Sequence, residues 1–170
     1  MQLLAILFKL FVDDAHADAL VETAPTYLTR EAARDHIASA FVAGIATSQR
    51  PALLLSIAWH ESRYEQNVVS IEANGRVSCG VMTPSPTTKC QATDLTGNYL
   101  TGAQHLAEWQ AAFPRDERLA LQGYGGGYRA IKTCASSKHY ACAVPAVFLW
   151  RANLIERAWQ KRSAVLVWSA

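Results

Sequence analysis

A mainly α fold is predicted by three features of the sequence: helical periodicity over residues 30–47, a proline-opened apolar segment at 51–62, and an amphipathic stretch at about 98–112. Thr29 supplies an N-cap, and Ile37, Phe41 and Ile45 recur every four residues behind it, so 30–47 reads as a helix. Pro51 suits a first helical position, which makes 51–62 a second, buried helix. From Gln66 to Gly97 the chain is rich in Gly, Ser, Thr, Pro and Asn and reads as a long loop with at most short strands. Leu106, Trp109 and Phe113 share one side of the next helix, which Pro114 ends. Asp116 and Glu117 favour the start of another, expected to run to Gly123, where Gly123 and Gly125 to Gly127 break it. A final helix opens near Pro145 and turns Phe148, Leu149, Ile155 and Trp159 inward.

With 170 residues, 51% of them hydrophobic and 18% charged, the chain is one domain's worth of folded body. A net charge of +2 is too small for nucleic acid to be the main partner, but suits an anionic polymer such as a bacterial wall. Residues 1–24 stand apart from 25–170. The stretch from Leu3 to Val12 is apolar except for Lys9, and Ala15-His16-Ala17 has the small-residue pattern of a cleavage site. The stretch is too short to span a bilayer comfortably, and no positive charge precedes it. The expectation is an export signal, or a segment docking on a membrane through residues 3–12; the alternative is a helix packed on the body. Cys79, Cys90, Cys134 and Cys142 lack the spacing of a zinc site, and no metal is expected. An even count behind an export-like N-terminus favours disulfides, with Cys79–Cys90 and Cys134–Cys142 closing the shortest loops; buried free thiols are the alternative.

Among the 14 acidic residues, most have an ordinary structural reading. Glu31 and Asp35 alternate with Arg30 and Arg34 on what reads as a solvated helix face, and Asp94 reads as a cap for the helix near residue 98. Glu65 and Glu72 lie in the loop region without an apolar approach. Glu61 differs, because it ends the buried segment that starts at Leu53 and faces the long loop. Apolar surroundings raise a carboxyl pKa, so such a group holds a proton near neutral pH and can give it to a glycosidic oxygen. The competing reading is a salt bridge to Arg63 or another surface base.

The neighbouring motifs favour chemistry. Glu61-Ser62 is followed by Val69-Ser70, by Gly80-Val81-Met82-Thr83-Pro84-Ser85-Pro86-Thr87-Thr88, by Asn98, Gly102 and Leu106 within NYLTGAQHL, and by Ala120-Leu121-Gln122-Gly123-Tyr124-Gly125-Gly126-Gly127. In order and spacing, residues 51–130 resemble the soluble lytic transglycosylase family and its goose-type lysozyme relatives. Those carry a glutamate-serine pair, a V-S dipeptide, G-L-M-Q-x-x-P-x-T and A-x-A-A-Y-N-x-G. The resemblance implies a lysozyme-like fold, mainly α with little or no β, in which 25–170 is a catalytic domain. It implies that Glu61 acts first as acid and then as base. Ser70 would sit near the substrate's N-acetyl group or Glu61, and Met82 would line the cleft. Tyr124 would bond at the reacting sugar or orient Glu61. Thr83 stands where the family has glutamine and Gly125 where it has asparagine, so the contacts at those subsites are altered. Tyr64 is expected to bind substrate by stacking on a sugar face, with Trp59, Tyr99 and Tyr128 also available.

The function that follows is cleavage of the MurNAc-β-1,4-GlcNAc bond of peptidoglycan glycan strands, with a 1,6-anhydro product and no cofactor. Two alternatives remain open at this point: a goose-type muramidase in which a loop carboxylate activates water, and a non-catalytic wall-binding or assembly module. The expected setting is extracytoplasmic, either exported to the periplasm beside secretion-system components or carried in a phage virion.

Overall fold

In the computed structural model, residues 2–24, 28–71, 75, 77–83, 94–136 and 143–168 are described. Helices α1 (Gln2–Phe11), α2 (Asp14–Thr23), α3 (Arg30–Thr47) and α4 (Pro51–Ser62) come first. Strands β1 (Val69–Ile71) and β2 (Val77–Cys79) follow, then helices α5 (Leu95–Ala112), α6 (Glu117–Ser136) and α7 (Ala143–Trp168). The fold is therefore mainly α. Its β component among the described residues is one antiparallel pair, with Ser70 opposite Ser78.

The caps read from sequence form as local chemistry dictates. The Thr29 hydroxyl accepts from the Ala32 N–H, and the Asp94 carboxylate accepts from the Gly97 N–H at 2.6 Å. Asp94 starts α5 three residues earlier than Asn98, so Thr96 joins the buried face, where its hydroxyl meets that of Ser39 on α3. Residues 52–58 of α4 are buried all round, and the one polar side chain among them is accounted for: the Ser56 hydroxyl donates to the Phe148 carbonyl of α7 at 2.7 Å.

Helix α6 departs from expectation. It passes through Gly123, Gly125 and Gly126 and leaves helical geometry only at Gly127, where φ is +64°. Gly123 is there for closeness, not for a break, since a Cβ on it would lie 2.3 Å from the Trp109 ring. Ile45, expected on the inner stripe of α3, is exposed near that helix's end.

The N-terminal helices also differ from an appended segment. Ala17, Ala19 and Leu20 of α2 are fully buried, Asp14 and Asp18 pair with Arg34 and Arg30, and the Trp159 indole of α7 donates to the His16 carbonyl. Residues of α2 thus contribute to the core. The charged face of α3 is covered by these helices instead of by water alone. Helix α1 lies on α3 with Phe8 stacked on Phe41, and the anomalous Lys9 pairs with Asp35 at 2.6 Å and with Glu31 at 3.7 Å. Leu3 and Ile6 stay exposed. No helix among the described residues is long and apolar enough to cross a membrane. Cys79 and Cys134 are each disulfide-bonded; the expected partners, Cys90 and Cys142, lie outside the described residues.

Beneath α3 the His36 ring is buried, hydrogen-bonded to the Tyr99 hydroxyl at 3.0 Å. Burial lowers its pKa to about 4 despite the opposing pull of the Asp35 carboxylate and the Tyr64 backbone. The unfolded chain takes up this proton near the ordinary value of 6.5, so between the two values the unfolded state holds more protons. This contribution to stability is complete above the ordinary value and is lost as pH falls toward the folded one. Denaturant melts at about pH 7.5 and about pH 4.5 should differ by roughly 2.5 kcal/mol from this group, and His36→Asn should flatten the dependence.

Candidate functional site

Glu61 stands in the last turn of α4, where the chain reverses sharply. Arg63 and Tyr64 both adopt left-handed backbone (φ +59° and +67°), an uncommon pair of conformations for residues with side chains. Tyr64 makes the turn hold: its ring is buried, 4.9 Å from His36 and 6.0 Å from Trp59. Arg63 folds back over α4, donating to the Trp59 carbonyl at 2.6 Å and the His60 carbonyl at 3.2 Å, with its guanidinium over the Trp59 ring. It therefore closes the helix end instead of pairing with Glu61. No ion pair joins Glu61 to any described residue.

What Glu61 does meet is Thr83. Its Oε2 accepts from the Thr83 hydroxyl at 2.5 Å. Burial raises the Glu61 pKa above its ordinary value, and this bond opposes the rise without cancelling it. The carboxyl also lines a pocket of about 290 Å³ with His60, Gly125, Val144, Val147 and Phe148. Among the described residues it is the one carboxylate in that wall. Gly125 keeps the pocket open at α6, since a Cβ there would come within 2.7 Å of Val144.

Thr83 is delivered by a clamped loop. Asn98 of α5 grips both sides of it, accepting from the Met82 N–H at 2.8 Å and donating to the Cys79 carbonyl at 3.2 Å. Tyr124 of α6 donates to the Met82 carbonyl at 2.6 Å. Gly80, at φ +81°, lies so close under the Asn98 amide that a Cβ would sit 2.1 Å from Nδ2. Gly102 makes room for the Met82 side chain in the same way. One short loop thus ties α4, α5 and α6 to each other at the carboxylate.

The residues expected at the site are distributed unevenly. Glu61 and Thr83 meet directly, and Tyr124 is close enough that the Glu61 charge adds to the burial that raises its phenol pKa. The Tyr124 hydroxyl is spent on the loop carbonyl, so it orients Glu61 through Thr83. Met82, expected on the cleft wall, is fully buried against Gly102 and supports the loop from beneath. Ser70 lies exposed on β1 and is not among the described residues lining the pocket. Tyr64, expected to stack on sugar, is only 6% exposed and serves the turn. Tyr99 is buried, the Trp59 ring is flanked by Arg63 and Arg151, and Tyr128 is exposed against Trp109. Glu65 is exposed; Glu72 and 84–88 lie outside the described residues.

The places of His60 and of Val144, Val147 and Phe148 in the pocket wall, and the grip of Asn98 on the loop, do not follow from the sequence. His60 was signalled by adjacency to Glu61, whereas the α7 wall has no local signal. Among the described residues no group of three or more His, Cys, Asp or Glu could hold a metal ion. No family model, curated protein or solved structure matches the chain.

Proposed function

We propose that the protein is a lytic transglycosylase of peptidoglycan with Glu61 as its single catalytic acid. The observation that carries this is a carboxyl at the end of a buried helix, its pKa raised by burial, free of any ion pair among the described residues and set in a largely apolar pocket. Burial favours the protonated form of such a group, which suits it to give up a proton as a general acid.

Glu61 donates its proton to the glycosidic oxygen as the C1–O bond breaks. The substrate's own N-acetyl group stabilises the positive centre left at C1, so no second protein carboxylate is needed. The Glu61 carboxylate, held by the Thr83 hydroxyl, then takes the proton of the C6 hydroxyl, and that oxygen bonds to C1. The ring closes without water and Glu61 ends protonated, ready for the next bond. Among the described residues of the pocket wall Glu61 is the one carboxylate, which supports this route over a two-carboxylate muramidase. The wall is reached from outside the cytoplasm, by export or from a virion.

Mass analysis of purified sacculi after digestion tests this. Glycan ends in the 1,6-anhydro form are expected. Reducing ends would instead mean hydrolysis, and intact sacculi that retain bound protein would mean a binding module.

A further inference from the structure

His60 precedes Glu61 on α4, lines the same pocket, and has no part in the proton transfers above. Its ring meets Phe148 edge-on at 5.3 Å. The two ring nitrogens have opposite surroundings. Nε2 is buried and has no hydrogen-bond partner. Nδ1 is neither buried nor engaged by any described residue. A buried N–H without an acceptor is rarer than a buried acceptor without a donor, so the proton belongs on Nδ1 and the lone pair on Nε2. Burial, with the Arg151 and Arg63 guanidiniums nearby, lowers the ring's pKa and keeps it neutral. The pocket therefore holds one neutral donor and one acid; the rest of its described wall is Gly125, Val144, Val147 and Phe148.

A ligand group complementary to that wall has an apolar end and a single strong acceptor, and carries no charge. An acetamido group fits: its methyl packs on valine and phenylalanine while its carbonyl oxygen accepts. We propose that His60 is a substrate-contacting residue, its Nδ1–H donating to the carbonyl oxygen of an acetamido group seated against Val144, Val147 and Phe148. This rests on the glycan-cleaving function proposed above and adds to it a named donor that sets specificity for N-acetylated sugar. Arginine or lysine at this position would bring a fixed positive charge beside Glu61 and lower its carboxyl pKa; a neutral imidazole recognises the amide without that effect.

The test uses Glu61→Gln protein, so that ligand is bound without being cut, and calorimetry with the β-1,4-linked N-acetylglucosamine tetramer and its de-N-acetylated counterpart. The N-acetylated tetramer should bind, and the de-N-acetylated one should bind at least tenfold more weakly, an effect of about one good hydrogen bond plus a buried methyl. Adding His60→Leu should weaken the N-acetylated ligand roughly tenfold and narrow the gap between the two. Adding His60→Asn, whose side-chain nitrogen falls where Nδ1 stood, should restore most of the loss. Nitrogen chemical shifts of the His60 ring should report a neutral Nδ1–H form whose Nδ1 signal moves when the tetramer is added. Equal binding by the His60→Leu protein, or equal losses in Leu and Asn, would overturn the role of His60 while leaving the proposed function standing. If neither tetramer binds and wild-type protein leaves sacculi whole, the proposed function fails first and the inference goes with it.

Discussion

Glu61→Gln should abolish wall cleavage, lowering the rate by roughly 10²–10⁴-fold or to background, while binding of glycan persists. Glutamine keeps the volume and can still accept from the Thr83 hydroxyl, so the loop has no reason to move. What it lacks is a transferable proton. The substitution also has an effect on stability that separates a working acid from a structural carboxylate. Burial raises the Glu61 pKa above its ordinary value of 4.5, so the unfolded chain loses this proton at lower pH than the folded one. Above the ordinary value the folded state therefore holds more protons, and stability falls as pH rises toward the folded value. Glu61→Gln removes that loss. Thermal melts should place the variant at or above wild type at neutral pH and level with it near pH 4. A salt-bridged glutamate would give the reverse, with the variant less stable at neutral pH.

The same sign governs activity. The first step needs the protonated acid, so the rate should fall as pH rises through the folded pKa. Thr83→Val removes the bond that favours the carboxylate, and the alkaline limb of the pH–rate profile should move upward. An unmoved limb, in a variant that still cleaves, would mean that the limb reports some group other than Glu61.

The parts of the architecture legible in the sequence are those with local causes. Thr29 and Pro51 mark helix starts by backbone chemistry that needs no tertiary partner, and Asp94 marks α5 for the same reason. Glu61 was legible because an apolar run that ends in a charge is a local conflict, and such conflicts gather at functional sites. Contacts between distant elements were not legible. The glycines of α6 look like helix breakers in one dimension, but their purpose is to admit Trp109 and Val144 from other helices. Lys9 looked like a defect in an apolar segment because Asp35, its partner, sits on another helix. Met82 and Tyr64 were placed by motif and by aromatic character, yet their burial is fixed by Gly102 and His36, which no local pattern connects to them. The pocket's far wall comes from α7, outside the stretch that carries the family resemblance.

Asn98→Ala should be the most disruptive of the substitutions that leave the carboxyl itself untouched. The Asn98 side chain is the only described partner of the buried Met82 N–H, and it also caps the Cys79 carbonyl. Removing it takes the described partner from the buried Met82 N–H and one donor from the Cys79 carbonyl, and empties the space beneath Gly80. A loss of roughly 3 kcal/mol is expected, which in a chain of this size lowers the melting temperature by about 6–12 °C. Activity should fall with it at temperatures where the protein is still folded, because Thr83 no longer stays on Glu61. Gly80→Ala tests the same contact from the other side. Alone it drives a Cβ into the Asn98 amide at a backbone angle that favours glycine, and should cost at least as much. In the Asn98→Ala background the steric part vanishes and only the backbone strain remains, so the double variant should lose less than the sum of the two single losses. Strict additivity would show that the amide does not hold this loop, and the route from α5 through Thr83 to Glu61 would have to be abandoned.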